Sequence, residues 1–260
     1  QFRVIFLSDF SNGVFHDSEF NAKIEWDSDL LSGFPNEVLK KRDHTRSGIS
    51  FLSPFISWKL INMLLTFRGE KKILVTGWNN INLLIAIILS GFLRWEVFFR
   101  AETYERAQNG LIPPVVRKFV LKLCLGKVKR FFYIGESSRR FYSDYLGIGG
   151  RYLRCSPYCV DNKKFGIEQE REKQDSTIKF LFVSKMSRRK RVIDLLIAFF
   201  HSDIYKEKTG MLTLVGVGEE LAEVKALVLR MRVQDSVEFL GFVNQTALAN
   251  IYASHDVFVL

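Results

Sequence analysis

Short apolar, β-rich runs alternate with longer stretches of helical periodicity along nearly all of this 260-residue chain, and this alternation restricts the fold more than any other feature. Strands are expected over 2–7, 72–76, 95–99 and 130–134. Helices are expected over 80–90, over 137–146, and from Pro113 and Pro114 to Leu125. A polar stretch rich in Glu, Gln and Lys, 165–177, has no apolar period and reads as a linker. The alternation then restarts, with strands over 178–183, 211–215, 237–240 and 256–260 and helices over 192–200, 219–231 and 246–253. Strands this apolar are covered on both faces, so the expected class is α/β, two Rossmann-like domains built on parallel sheets. Their expected bounds are 1–160, a crossover over 161–177, and 178–260. Gln1 stands directly before a strand and Leu260 inside one, so truncation at both ends and an incomplete second domain are expected.

Composition narrows the function. Hydrophobic residues at 47% and charged residues at 25% give the balance of a globular protein. The longest apolar run, 83–93, contains Ser90 and Gly91 and is too short to span a bilayer, which needs about 20 residues. Cys155 and Cys159 stand four apart with no second pair or nearby His, so free thiols in a reducing compartment are the expected state and no metal site is.

The formal charge is +10, and between Arg117 and Arg154 ten Lys or Arg face only Glu136 and Asp144, a local net of +8. Such a segment attracts anionic lipids, phosphorylated substrates or nucleic acid, unless it is merely a solvated face. Within it, Val116, Phe119, Val120 and Leu123 recur at helical spacing beside Arg117, Lys118 and Lys122. That helix over 113–125 either packs its stripe on the sheet or lays it in a membrane interface through 113–130. Whether Val116 and Phe119 face solvent separates the two. Phe131, Phe132 and Tyr133 fall in a strand, so core is expected of them rather than a platform for stacked bases.

Ligands of open parallel sheets bind beyond the carboxyl ends of the strands. After 178–183 comes Ser184-Lys185-Met186-Ser187-Arg188-Arg189-Lys190-Arg191, a cationic loop leading into a helix N-terminus. There Lys185 and Lys190, expected to be exposed, could hold a diphosphate. After 211–215 come Gly216 and Gly218, which permit a close backbone approach. After 237–240 come Gly241, Phe242 and Val243, a turn against which a flat nucleobase could lie. Leu221 occupies the third glycine position of a dinucleotide fingerprint, which speaks against a nicotinamide-dependent oxidoreductase, and no Walker-type phosphate loop occurs.

Taken together, Phe182-Val183-Ser184-Lys185-Met186 with Lys190-Arg191, then Leu214 to Gly218, Phe239 to Val243 and Ser254-His255-Asp256-Val257 resemble the donor-binding domain of retaining family 4 glycosyltransferases of the GT-B fold, bacterial group 1 type. The first half adds Leu7-Ser8-Asp9-Phe10, Ile24-Glu25-Trp26-Asp27, Thr76-Gly77-Trp78, Phe99-Arg100-Ala101-Glu102-Thr103, Ile134-Gly135-Glu136 and Pro157-Tyr158-Cys159-Val160-Asp161 with Phe165, which are similar to the acceptor domain of that group.

The resemblance implies two domains facing a cleft and a hexosyltransferase-type enzyme that uses a nucleotide-diphosphate sugar, with no cofactor or metal. Its acceptor would be a glycan or a lipid-linked precursor, handled in the cytoplasm or at the inner face of the plasma membrane, with no nucleic acid as partner. Lys185 and Lys190 would grip the donor diphosphate. Gly216, Gly218, Gly241, Phe242 and Val243 would meet the nucleotide, and Arg100 and Glu102 would face the cleft as candidate catalytic groups. Two departures stand out. Ser184 and Arg191 replace the usual glycines, which implies a loop of altered shape. The family's paired glutamates would lie beyond Leu260, so the chain alone is expected to be inactive. The alternative from the residues themselves is a non-catalytic polyanion or nucleic-acid binding module that uses 117–154.

Overall fold

A computed structural model describes residues 2–9, 13–17, 22–27, 29, 31–40, 56–102, 113–166 and 177–260. In the first part β1 (Val4–Phe6) pairs in parallel with β4 (Asn36–Val38), while β2 (Phe15–Asp17) and β3 (Ala22–Ile24) form an antiparallel hairpin. Phe15 and Ile24 face each other across that hairpin and are both buried, which anchors it despite its length of three residues per strand. Next comes α1 (Trp58–Thr66), whose start is capped by the Ser57 hydroxyl accepting the Leu60 N–H.

A four-stranded parallel sheet follows, in sequence order: β5 (Lys72–Thr76), β6 (Glu96–Arg100), β7 (Val128–Tyr133) and β8 (Leu153–Cys155). It is connected through α2 (Ile81–Phe92), α3 (Pro114–Leu125) and α4 (Glu136–Arg140). Asn80 caps α2 by accepting the Asn82 N–H, and the helix buries Leu84, Ala86 and Ile87. Val97, Phe99 and Phe131 supply the sheet's side of the same core.

The helix expected over 137–146 is only half α-helical. After α4 the backbone widens into a π-helical turn, Phe141–Tyr145, with the Leu146 N–H bonded to the Phe141 carbonyl. The wider turn sends Phe141, Tyr142 and Leu146 all into the core. The helix over 113–125 forms, but it buries only Leu121 and Leu125, and Val116, Phe119, Val120 and Leu123 face solvent.

The crossover carries a short helix, α5 (Asn162–Phe165), capped by Asp161. The rest of the expected linker, 167–176, lies outside the described residues, as do Phe10 and Thr103. Beyond it the chain forms β9 (Ile178–Val183), α6 (Val192–His201), α7 (Asp203–Lys206), β10 (Gly210–Val215), α8 (Leu221–Met231), β11 (Val237–Gly241), α9 (Gln245–Ala253) and β12 (Val257–Phe258). These four strands make a separate parallel sheet in the order β11-β10-β9-β12. Phe182, Leu212 and Leu214 of this sheet meet Leu196 of α6 and Val224 of α8 in a second core. Strand order reverses at β9, so the crevice between β9 and β12 is the switch point of the sheet, the place where open parallel sheets take ligands.

Candidate functional site

The loops after β9, β10 and β11 are bound to one another by backbone. Ser184 N donates to Val215 O (3.1 Å), Met186 N to Val217 O (2.9 Å), Gly216 N to Gly241 O (2.7 Å) and Glu220 N to Met186 O (3.0 Å). Lys185, Lys190, Gly216, Gly218, Gly241, Phe242 and Val243 therefore ride on one joined rim at the carboxyl edge of the second sheet.

The glycines divide into two kinds. At Gly216 and Gly218 φ is +132° and +159°, and an added Cβ would collide with the carbonyl oxygens of Ser184 and Met186 respectively. The close backbone approach expected there exists, but the approaching backbone is the neighbouring loop of the same chain. Gly241 differs: φ is +69° and nothing lies within 4 Å of where a Cβ would stand, so its requirement is the left-handed turn and open space remains beside it.

Lys185 and Lys190 are half-buried, not fully exposed as expected. The reason for Lys185 is a partner far away in sequence. Its Nζ lies 3.2 and 3.1 Å from Oδ1 and Oδ2 of Asp17 at the end of β2, and the two side chains are only 27% and 19% exposed. Lys190 ends a single 3₁₀ turn, Arg188–Lys190, and donates its N–H to Ser187 O. Arg191 then takes φ 53° and ψ 37°, the left-handed conformation that a glycine would adopt. The Arg191 guanidinium pairs with Asp194 in the first turn of α6.

A run of further contacts joins the hairpin segment to the same rim. Asn244 Nδ2 donates to Glu25 O (2.6 Å), Asp27 N donates to Asn244 Oδ1 (3.2 Å), and Asp27 Oδ2 accepts from Thr246 N (3.0 Å) and from the Thr246 hydroxyl. The Thr246 hydroxyl holds the Asp27 carboxyl below the usual carboxylate range. The Trp26 and Phe242 rings meet at 5.8 Å, and Phe165 of α5 meets Tyr252 of α9 edge-on at 6.1 Å. Glu220 sits behind the rim, where burial, then Glu223 and Glu219, raise its carboxyl above the ordinary value; its Oε2 is buried without a hydrogen-bond partner.

Arg100 and Glu102 come together in a cleft of about 590 Å³ at the carboxyl ends of β5 and β6, walled also by Trp78, Arg117, Ile134 and Tyr158. Its described walls all fall between Thr76 and Tyr158, and neither Lys185 nor Lys190 is among them. The Arg100 guanidinium donates to Ser156 O through Nε (3.4 Å) and Nη2 (3.2 Å) and lies 4.6 Å over the Tyr158 ring. Between Arg100 and Glu102 the backbone is held from inside. Ala101 N donates to the Tyr142 hydroxyl at 3.1 Å, and burial pushes that phenol up to about 12.

Sequence reasoning did not single out Tyr142, Asp17 or Asn244. Only the buried core reveals the first, and the other two act across 168 and 217–219 residues of sequence. Phe131 is buried and Phe132 and Tyr133 are half-buried in β7, so this strand offers no exposed stacking platform. Among the described residues no cluster of three or more His, Cys, Asp or Glu is arranged to hold a metal ion, and no helix is long and apolar enough to cross a membrane.

Comparison with known proteins adds the following. Residues 164–260 match the family model described as glycosyl transferases group 1. Over 253 residues the chain is 24% identical to alpha-monoglucosyldiacylglycerol synthase of Streptococcus pneumoniae, which covers 94% of this chain and 56% of that protein. The chain thus spans just over half the length of this curated relative. A glycosyltransferase structure from Rickettsia africae superposes with TM-score 0.62 at 13% identity, covering 86% of this chain and 59% of the other. HepE of Anabaena, solved with UDP and glucose, gives TM-score 0.58 at 14% identity over 86% and 60% of the two chains. The lipopolysaccharide outer core galactosyltransferase WaaB gives 0.57 at 13% identity over 97% and 71%. At these identities the likeness is one of fold, and the fold is GT-B.

Proposed function

We propose that the chain is the donor- and acceptor-facing part of a retaining, family 4 type glycosyltransferase. On this reading it moves a hexosyl group from a nucleotide-diphosphate sugar to a glycan or lipid-linked acceptor in envelope or exported-polysaccharide synthesis. The observation that carries the reading is the rim at the switch point of the second sheet. Lys185 and Lys190 leave β9 where strand order reverses, and the open left-handed turn at Gly241 lies on the same joined rim. The family match over 164–260 covers the same rim.

The chemistry follows from charge. As the bond between sugar and diphosphate breaks, negative charge grows on the departing nucleotide, and preorganised cations help most where charge develops. Lys185 and Lys190 supply it, each charge-assisted contact contributing about 1.5–3 kcal/mol, with no metal or cofactor in the scheme. Gly241, Phe242 and Val243 would meet the base largely through backbone. Arg100 and Glu102, held by the Tyr142 hydroxyl behind Ala101, would bind and orient the acceptor. The cytoplasm, at the inner face of the plasma membrane, is the proposed place, and the exposed, free Cys155 and Cys159 fit a reducing compartment.

A thermal-shift screen of the chain against UDP, GDP, ADP, NAD and a single-stranded oligonucleotide tests the reading. A nucleoside diphosphate at 100 times its Kd should stabilise by about 2.7 kcal/mol. Stabilisation by NAD or the oligonucleotide, with none by any nucleoside diphosphate, would overturn it.

A further inference from the structure

The outward face of α3 is made of the residues a soluble helix normally turns inward. At 100° per residue, Leu121 and Leu125 lie on the inner side, while Val116, Phe119, Val120 and Leu123 cluster opposite them. Their exposures are 50%, 69%, 45% and 72%. Lys122 flanks this stripe on one side and Arg117 on the other, while Lys118 turns inward, about 20° from Leu125 on the helix wheel. Lys118 is seated over the Tyr145 ring at 5.3 Å, and Arg117 lies 4.9 Å over Trp78. At the far end of the helix Gly91 packs against Lys127, and its neighbour Phe92 is 76% exposed. From Pro113 to Gly135 the sequence has six Lys or Arg and no Asp or Glu.

From this face we infer that α3 docks on an anionic lipid bilayer, its apolar stripe in the interface and Lys122 against the headgroups. Charge decides between the two coverings such a stripe could take. A second copy of the chain would bring one acid-free cationic border against another, and like charges facing each other oppose association. A bilayer surface carrying anionic lipid complements the border and accepts the stripe together.

The same docking sets where the acceptor stands. Arg117 is both a flank of the docked helix and a wall of the cleft that holds Arg100 and Glu102. The cleft mouth therefore lies at the membrane, within reach of a headgroup whose lipid stays in the bilayer. That a lipid-linked acceptor reacts there rests on the glycosyl-transfer reading; the bilayer contact does not.

Co-sedimentation with large vesicles tests the contact, using phosphatidylcholine alone and phosphatidylcholine with one-third phosphatidylglycerol. Binding should need the anionic lipid and weaken as salt rises. Lys122→Ala should lower the partition coefficient about five-fold. Phe119→Ser with Leu123→Ser should abolish binding even at low salt; these side chains are on the outer face, so the melting temperature and the shift given by a nucleoside diphosphate should stay as in the parent. Loss of vesicle binding and loss of donor binding are thereby read separately. Equal binding to neutral and anionic vesicles, no binding at low salt, or a dimer by light scattering that Phe119→Ser with Leu123→Ser dissociates would each overturn the inference.

Discussion

Asp17 holds the very cation that is proposed to receive the donor, so neutralising it should have effects of opposite sign on stability and on binding. Both Asp17 oxygens lie within 3.2 Å of the Lys185 Nζ, in side chains 19% and 27% exposed. Exposed pairs contribute about 0–1 kcal/mol, and breaking buried ones costs about 3–5 kcal/mol; partial exposure puts this pair at about 1–2 kcal/mol. At about 2–4 °C per kcal/mol for a chain of this size, Asp17→Asn and Lys185→Ala should each lower the ligand-free melting temperature by about 2–8 °C.

Nucleotide binding separates the two variants. Lys185→Ala removes a charge-assisted contact of about 1.5–3 kcal/mol and should weaken a nucleoside diphosphate by roughly 10- to 150-fold. Asp17→Asn frees Lys185 from a carboxylate that the diphosphate must displace, and should tighten the same ligand about 5- to 30-fold. Calorimetric titration of parent, single variants and double variant with UDP or GDP, beside ligand-free melting curves, measures both quantities. If Asp17→Asn weakens the nucleotide as Lys185→Ala does, Asp17 is not a competitor for the lysine and the diphosphate position is wrong.

Three further outcomes are expected. Tyr142→Phe leaves the buried Ala101 N–H without its acceptor, which should cost about 1–3 kcal/mol in chemical denaturation and lower kcat/KM for glycosyl transfer. Glu220 has its folded-state pKa raised above the ordinary 4.5, so its contribution to stability is present below that value and is lost as pH rises through the folded value. Melting curves of Glu220→Gln should show a gain over the parent at pH 7 that disappears near pH 4, and a gain independent of pH would count against the burial of that carboxyl. At Arg191, left-handed backbone costs a side chain about 1–2 kcal/mol. Arg191→Gly should thus stay within about 1 kcal/mol of the parent, whereas the β-branched Arg191→Val should lose clearly more, as read from denaturant midpoints.

The parts of this fold that were legible in sequence are those set by local burial. β5 and β9 fall where their apolar runs stand, and α2, α3 and α6 begin within two residues of their expected starts. The β2–β3 hairpin was not legible because each strand is three residues long and only Phe15 and Ile24 mark its buried side. The rim was legible as cations and glycines after strands, but the reason for Gly216 and Gly218 was not. Both make way for the neighbouring loop's carbonyl, a contact no spacing rule reveals. Lys185 looked exposed because the partner that half-buries it is 168 positions away. Arg191 stands in the left-handed conformation that glycine favours, a backbone state its residue type does not announce.

The seam that Asp17, Glu25, Trp26 and Asp27 form with the second sheet's rim bears on how such proteins could be recombined. GT-B halves invite exchange at the crossover, with a breakpoint anywhere between 166 and 177. A chimera cut there would keep Asp17, Glu25, Trp26 and Asp27 while replacing Lys185, Phe242, Asn244 and Thr246, so each cross-chain partner would face a stranger. The unit of inheritance for the donor half is consequently discontinuous: the hairpin segment travels with the second sheet, although the first sheet lies between them in the chain.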